Sequence, residues 1–235
     1  MHMTPTVYNN LDEVFIQMYE KGYFLSKRGV KCKCLFNPII VLKPGVIKTY
    51  KSRPLSIQYL IDELNWYLNP NEENTKRIKK YKIWKEYFDG GKIFSNYGEK
   101  ALKQLPNVIK ELQNDMFTTR AIIYYGSIEN LGIIQNGESI DMVCTIAMQF
   151  YFTLDNFLNA TIYMRSNDLI FGFFYDFIWA SLLFEKVLKN FPKAKTGNLT
   201  WIVTNLHVYE KDFKKLEEIY FEIKGGLKWK LVFLF

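Results

Sequence analysis

Two long β-type runs, Asp141 to Thr153 and Phe157 to Met164, are joined by a turn at Asp155-Asn156, and an apolar helix, Phe173 to Leu188, follows them. Strands of that length need a packed face, and a helix apolar around most of its surface needs burial. The remaining pattern adds elements of both kinds. Val14, Phe15, Met18, Tyr19 and Tyr23 recur at spacings of three and four and predict an amphipathic helix from Leu11 to Phe24. Alternation predicts a strand over Val30 to Leu35, and Ile39 to Leu42 reads as another. Pro54-Leu55-Ser56 opens a helix through Trp66, Glu99 to Leu112 forms another, and Asp89 to Gly98 is a loop holding aromatics. Ala121 to Tyr125 and Leu199 to Leu206 read as strands, Lys211 to Phe221 as a helix, and Trp229 to Phe235 as a final strand or docking tail. Helices and strands are mixed without a regular βαβ rhythm, which predicts the α+β class, a mixed β-sheet packed by helices. With no repeat and no low-complexity linker, residues 1–235 are expected to form one domain.

At 49% hydrophobic and 17% aromatic, the 235 residues suffice for a sizeable core. The longest apolar stretch, near Leu169 to Leu183, is interrupted by Gly172 and Asp176, so no membrane span is expected. The N-terminal residues lack the charged and apolar regions of a signal peptide. Three cysteines do not make a disulfide framework and point to a reducing compartment. Cys32 and Cys34 alternate with lysine, so a strand places both on one face; metal binding is the weaker alternative there, since His2 and His207 are the only histidines. A net charge of +7 favours anionic partners without choosing among nucleotides, folates, nucleic acids and acidic membranes. The densest basic run, Lys76 to Lys82, reads as a solvated helix end or loop, with nucleic-acid binding as its alternative.

Chemistry gathers around the two long strands. Cys144 taken alone reads as core packing, but Arg165 at the end of the following strand offers the positive charge that favours a thiolate, which makes a nucleophile the competing reading. Ser166 and Asn167 add hydroxyl and amide donors suited to a phosphate oxygen. Asp168 and Asp176 stand in an apolar stretch where a carboxylate needs a partner, and the intervening Gly172 suggests that they serve different ligands. His207 and Tyr209 alternate on a strand end and point two hydrogen-bonding tips to one face, although a structural role remains the plainer reading of a lone histidine.

Cys144, Gln149-Phe150, Arg165-Ser166-Asn167-Asp168, Gly172 and His207-Val208-Tyr209 resemble, in order and spacing, the thymidylate synthase superfamily. Glu63-Leu64-Asn65-Trp66 resembles its helix with a catalytic glutamate, and Trp84 with Asn96-Tyr97-Gly98 resembles its active-site loop; the resemblance runs from about Phe24 to about Phe213. It implies a thymidylate synthase-like fold pairing sheet to sheet as a homodimer, a pyrimidine nucleoside monophosphate as substrate, 5,10-methylenetetrahydrofolate as cofactor, and no metal. It implies that Cys144 adds to carbon 6 of the base, that Glu63 moves protons through ordered water, and that Tyr97 belongs to the same catalytic set. Arg165 and Ser166, assisted by Lys27 or Arg28, would hold the nucleotide phosphate, and Asn167 would contact the nucleotide. Arg120, in a segment keeping one of the family's two arginines, would reach the phosphate of the neighbouring subunit. Gln149 would order the site, His207 and Tyr209 would bind the sugar hydroxyl, and Trp84, Asp168 and Gly172 would face the folate.

Two departures are informative. Thr145 stands where thymidylate synthases carry a histidine after the nucleophile, and Asp176 stands where they read uracil with an asparagine. Both, with the runs Lys27 to Lys31, Ser95 to Gly98, Met164 to Asp168 and Phe171-Gly172-Phe173, resemble the deoxycytidylate hydroxymethylases of T-even phages. An ionised carboxylate only accepts hydrogen bonds, which suits the exocyclic amino group of cytosine and disfavours the carbonyl of uracil. The resemblance implies conversion of dCMP to 5-hydroxymethyl-dCMP, in the cytoplasm of a host making modified phage or viral DNA, with neither a membrane nor nucleic acid expected as a partner. A dUMP or CMP hydroxymethylase, a divergent thymidylate synthase and a non-enzymatic RNA-binding protein are the alternatives.

Overall fold

Asn10 starts the first helix by local chemistry: its side chain accepts the Glu13 N–H at 2.9 Å, and the Glu13 carboxylate returns to the Asn9 N–H at 3.1 Å. A computed structural model describes residues 5–90, 93–128, 132, 135–137, 140–226 and 230–233. It resolves two units, one of Met1–Leu55 with Phe152–Phe235 and one of Ser56–Tyr151. The first unit opens with β1 (Val7–Tyr8), α1 (Leu11–Lys21), β2 (Tyr23–Lys27), β3 (Val30–Phe36), β4 (Ile39–Leu42) and β5 (Val46–Thr49). The helix expected to reach Phe24 stops at Lys21, because Gly22 caps it and Tyr23–Lys27 are drawn into a ladder with β3. Arg28 and Gly29, at φ of 50° and 80°, form the two-residue turn that this hairpin demands. Tyr23 satisfied the helical spacing, yet it lies in the strand and is exposed.

The second unit comprises α2 (Ile57–Leu68), α3 (Glu72–Ile78), α4 (Lys82–Asp89), α5 (Tyr97–Asn114), β6 (Ile122–Tyr124) and β7 (Thr145–Phe152), whose last residue falls in the first unit. Ser56 caps α2 through the Tyr59 N–H at 3.3 Å, and Asn96 caps α5 through the Glu99 N–H at 2.9 Å. Trp84, expected on a loop, lies in α4, and Tyr97 is the first residue of α5. The aromatic loop expected over Asp89 to Gly98 is bounded by the end of α4 at Asp89 and the start of α5 at Tyr97, and 91–92 within it lie outside the described set. Gly98 admits no larger residue: a Cβ there would stand 2.1 Å from the Tyr67 carbonyl oxygen, so α2 and α5 touch backbone to backbone. The strand expected from Asp141 begins only at Thr145, and its antiparallel register with β6 runs from Ala147 opposite Tyr124 to Gln149 opposite Ile122.

The chain returns to the first unit with β8 (Phe157–Met164), β9 (Asn167–Asp168), α6 (Gly172–Leu188), β10 (Lys195–Val203), β11 (Asn205–Tyr209), α7 (Phe213–Lys224) and β12 (Lys230–Phe233). The single strand expected over Leu199 to Leu206 is two. It breaks at Thr204, whose N–H bonds the Met164 carbonyl at 2.9 Å. Upstream of the break β10 pairs with β4 and β8; downstream β11 pairs with β3 and β9. The expected tail is described only over β12, which pairs antiparallel with β5; residues 229, 234 and 235 lie outside the described set. Mixed sheets packed by helices make the architecture α+β.

Helix α6 is the central core element of its unit, with Phe173, Phe174, Phe177, Leu183, Phe184 and Val187 fully buried. Trp201 of β10 stacks on Phe177, centroids 5.5 Å apart at 25°, and meets Phe173 at 5.5 Å. Its indole N–H is buried with no hydrogen-bond partner among the described residues. Trp201→Ala should cost about 3–5 kcal/mol in urea unfolding. Trp201→Phe should cost only about 1 kcal/mol, because it removes an unsatisfied donor along with part of the volume.

Candidate active site

In the second unit the thiol is held by its backbone. Cys144 directly precedes β7 and is half-buried. Its N–H donates to the Tyr97 hydroxyl at 2.8 Å, and the Thr145 N–H approaches the same oxygen at 3.5 Å. Tyr97 is placed in turn by Asp141, 1% exposed, whose carboxylate accepts the N–H groups of Phe94 and Ser95 at 2.6 and 2.7 Å and the Ser95 hydroxyl. A carboxylate with this many donors is an anchor. The expected catalytic glutamate has an analogous arrangement on α2. Buried Glu63 accepts the Tyr59 hydroxyl at 2.6 Å, and that hydroxyl accepts the Trp84 indole N–H at 2.9 Å. Trp84 thus orders the glutamate through Tyr59. Nothing in the sequence pattern separated Tyr59 and Asp141 from ordinary helix and strand residues.

Two other expected residues occupy this unit. Gln149 donates to the Thr119 carbonyl at 3.0 Å, tying β7 to the segment that carries Arg120. The Arg120 side chain is largely exposed and meets Glu111 at 3.0 Å. Three of the five cations in the basic run, Lys76, Arg77 and Lys82, pair along their helices with Glu72, Glu73 and Glu86 at 2.6, 2.5 and 3.8 Å. Such i,i+4 pairs mark a solvated helix surface.

In the first unit the hairpin turn, β9 and β11 gather the expected anion-binding residues. Lys27 stands 2.8 Å from the Ser166 hydroxyl and 3.5 Å from His207 Nε2, and its ammonium lies 5.8 Å from the Tyr209 ring centre. His207 and Tyr209 are on one face as expected, ring centres 4.7 Å apart, and they pair directly with Cys34 and Cys32 of β3. Both cysteines are buried, sulfurs 3.5 Å apart, and burial raises the Cys34 thiol to about 12, so these thiols are inert packing. Burial lowers the His207 imidazole to about 4; the charges of Lys27, Arg165 and Arg28 add to the fall, and the Asn205 carbonyl opposes it. His207 is therefore neutral at pH 7, in a cationic neighbourhood suited to a phosphate. Among the described residues, no group of three or more His, Cys, Asp or Glu could hold a metal, and no helix is long and apolar enough to cross a membrane.

The two carboxylates of the apolar stretch differ in their engagements. Asp168 accepts the N–H groups of Ile170 and Phe171 at 2.9 and 3.1 Å through one oxygen, and burial raises its pKa. Arg53, 5% exposed and absent from the sequence-based candidates, holds the carbonyls of the same two residues at 2.5 and 3.0 Å while its guanidinium lies 3.8 Å from the Phe174 ring centre. Gly172 opens α6 directly after this turn. Asp176, one turn into the helix, accepts the Asn167 amide at 2.9 Å. Asn167 is thus directed at Asp176, although the sequence grouped it with the phosphate donors. Burial raises the Asp176 carboxyl to about 7; the Asn167 hydrogen bond opposes the rise and the Asp168 charge adds to it.

These two shifts have opposite linkage signs. The His207 contribution is present above pH 6.5 and is lost as pH falls towards 4, whereas the Asp176 contribution is present below its ordinary 3.8 and is lost as pH rises through 7. At about 1.4 kcal/mol per pKa unit, they largely cancel over the acidic range. Asp176→Asn should therefore expose a rise in unfolding free energy of about 3 kcal/mol as pH goes from 4 to 6.5, and His207→Gln a comparable fall, measured by urea titration across pH. Profiles identical to that of the parent would rule out these assignments.

The family model described as thymidylate synthase matches residues 17–222. The chain is 28% identical over 216 residues to the deoxycytidylate 5-hydroxymethyltransferase of Enterobacteria phage T4, covering 84% of each protein. It is 26% identical over 171 residues to the thymidylate synthase of Vesicomyosocius okutanii subsp. Calyptogena okutanii, covering 67% of this chain and 62% of that protein. With the thymidylate synthase of Streptococcus sanguinis it shares 25% over 190 residues, 76% of this chain and 66% of the other. With the match spanning most of its length, the chain belongs to the thymidylate synthase family, enzymes that transfer one carbon to a pyrimidine nucleotide with methylenetetrahydrofolate as donor.

Proposed function

We propose that the protein is a deoxycytidylate 5-hydroxymethyltransferase, converting dCMP to 5-hydroxymethyl-dCMP with 5,10-methylenetetrahydrofolate and water. The observation that carries this reading is Asp176, a carboxyl at the head of the core helix held by an amide donor, where thymidylate synthases use asparagine for uracil. The 28% identity with the phage enzyme of that name supports it. On this reading the 1–235 chain works as one catalytic domain, acts as a homodimer in which Arg120 reaches the neighbour's nucleotide phosphate, and resides in the cytoplasm.

The Cys144 thiolate adds to carbon 6 of the base and makes carbon 5 nucleophilic, since the unactivated ring carbon reacts too poorly. Methylenetetrahydrofolate supplies the one-carbon unit that carbon 5 takes up. Asp168 fits its pterin: one carboxylate oxygen is anchored by two backbone N–H groups, which leaves the other to accept from ring N–H donors. Glu63, oriented by the Tyr59 hydroxyl, accepts the carbon 5 proton through water. With that proton gone, the bond from the one-carbon unit to the folate nitrogen breaks and tetrahydrofolate departs unoxidised; water then adds to the exocyclic methylene left on the nucleotide, and Cys144 leaves from carbon 6. Thr145, whose N–H shares the Tyr97 hydroxyl, is the candidate for placing that water. Lys27, Arg28, Arg165 and Ser166 bind the 5′-phosphate, while neutral His207 and Tyr209 take the sugar hydroxyl. Pairing of Lys76, Arg77 and Lys82 with helix glutamates fits the solvated-surface reading of that run better than the RNA-binding one.

Incubation with methylenetetrahydrofolate and dCMP should yield hydroxymethyl-dCMP by mass spectrometry, with no rise in dihydrofolate absorbance. Methylated dUMP with dihydrofolate would identify a thymidylate synthase instead, and a hydroxymethylated product from dUMP or CMP would reassign the substrate. Cys144→Ser should abolish turnover. Tyr97→Phe, which removes the acceptor of the Cys144 N–H, should lower kcat by about 10- to 100-fold, about 1–3 kcal/mol of misplaced nucleophile.

A further inference from the structure

Asn167 lies on the two-residue strand β9 and is 3% exposed. Its Nδ2 donates to Asp176 Oδ2 at 2.9 Å and lies 3.0 Å from the Met164 sulfur, while its Oδ1 is buried with no hydrogen-bond partner among the described residues. Carboxylate oxygen and thioether sulfur are both acceptors, so both demand that the NH₂ end face them. Leaving the amide oxygen unsatisfied costs about 1–3 kcal/mol. The polarity of the amide is thus set by what Asp176 requires, at the expense of local hydrogen bonding.

We infer that Asn167 is a second specificity-determining residue of the base site: its amide holds one Asp176 oxygen as an acceptor, keeps the carboxyl ionised, and so selects a 4-amino pyrimidine over a 4-oxo pyrimidine. The inference rests on the reading of Asp176 as the residue that meets the base. With Oδ2 engaged by an N–H, any proton on Asp176 must sit on Oδ1. Ionised, Oδ1 accepts from the cytosine amino group and repels the uracil carbonyl. Protonated, it donates to the uracil carbonyl and loses its preference for the amino group.

The balance between these states is close. Burial and the Asp168 charge favour the neutral acid, and the Asn167 amide opposes them. Other charges around the helix are committed elsewhere. Arg53 binds the carbonyls of Ile170 and Phe171, and Lys48 of β5, the strand packed against α6, is paired with Asp12. Removing the amide donor therefore tips Asp176 towards its neutral form at neutral pH.

The test is Asn167→Leu, with Asn167→Ala as a smaller second variant, assayed for kcat/KM on dCMP and on dUMP from pH 6 to 9. The dCMP-to-dUMP ratio should fall by about tenfold or more at pH 7.5, and the pH at which dCMP preference develops should rise by about one unit. A ratio and profile matching the parent, with only kcat lowered, would reduce Asn167 to a structural role and overturn the inference. Carbon-13 NMR of aspartate-labelled, ligand-free protein, with Asp176 assigned by its absence in Asp176→Asn, provides a readout independent of turnover. An Asp176 titration unmoved in Asn167→Leu sinks the inference for any substrate. A titration shifted upwards in a protein whose parent form prefers dUMP would preserve the Asn167–Asp176 coupling and place the error in the proposed substrate.

Discussion

The turn from Leu169 to Phe171 is held by two charged side chains: Asp168 takes the N–H groups of Ile170 and Phe171, and buried Arg53 takes their carbonyls. Each charged group satisfies peptide dipoles that a tight turn at a helix head would otherwise leave unpaired. Helix α6 begins directly afterwards with no side-chain cap of its own, so this clamp performs the capping. The direction in which α6 leaves the turn sets where Asp176 points, and the same helix carries Phe173, Phe174 and Phe177 into the core. Position of the base reader and packing of the first unit are therefore one problem with one solution.

The second unit works similarly with a neutral group at the end of the chain. Asp141 fixes the Ser95 backbone, Asn96 caps α5, Tyr97 opens that helix, and its hydroxyl receives the N–H of Cys144. Glu63, Tyr59 and Trp84 form a parallel series. In both, the residue expected to do chemistry is held by a tyrosine hydroxyl. Rigid support of this kind is what covalent catalysis needs, because a displaced nucleophile loses rate steeply with distance.

Much of the fold was legible. The strands at Ile39–Leu42 and Phe157–Met164 and the helices α2, α5 and α6 follow from periodicity and caps, which act within a few residues. The failures have a common physical origin. Tyr23 fits a helix until β3 offers it a ladder, and Leu199 to Leu206 reads as one strand until Thr204 passes between two sheets. Trp84 fits a loop until α4 forms around it. In the first two cases pairing partners distant in sequence overrode a local preference; in the third the expectation came from the family resemblance and the local helix prevailed.

Residue chemistry was legible to a similar depth. The sequence alone determined the family, the presence of a thiol, a glutamate and an anion-binding arginine, and the substitution of a carboxylate where the family reads uracil with an amide, because these are matters of residue type and order. Tertiary structure alone decided that Asn167 faces Asp176, that Arg53 clamps the turn before α6, that Tyr97 receives the Cys144 N–H, and that Cys32 and Cys34 are inert packing. Those outcomes depend on distances of about 3 Å between groups tens of residues apart, and on burial, which shifts a carboxyl or an imidazole by units of pKa. Neither quantity exists until the chain has folded.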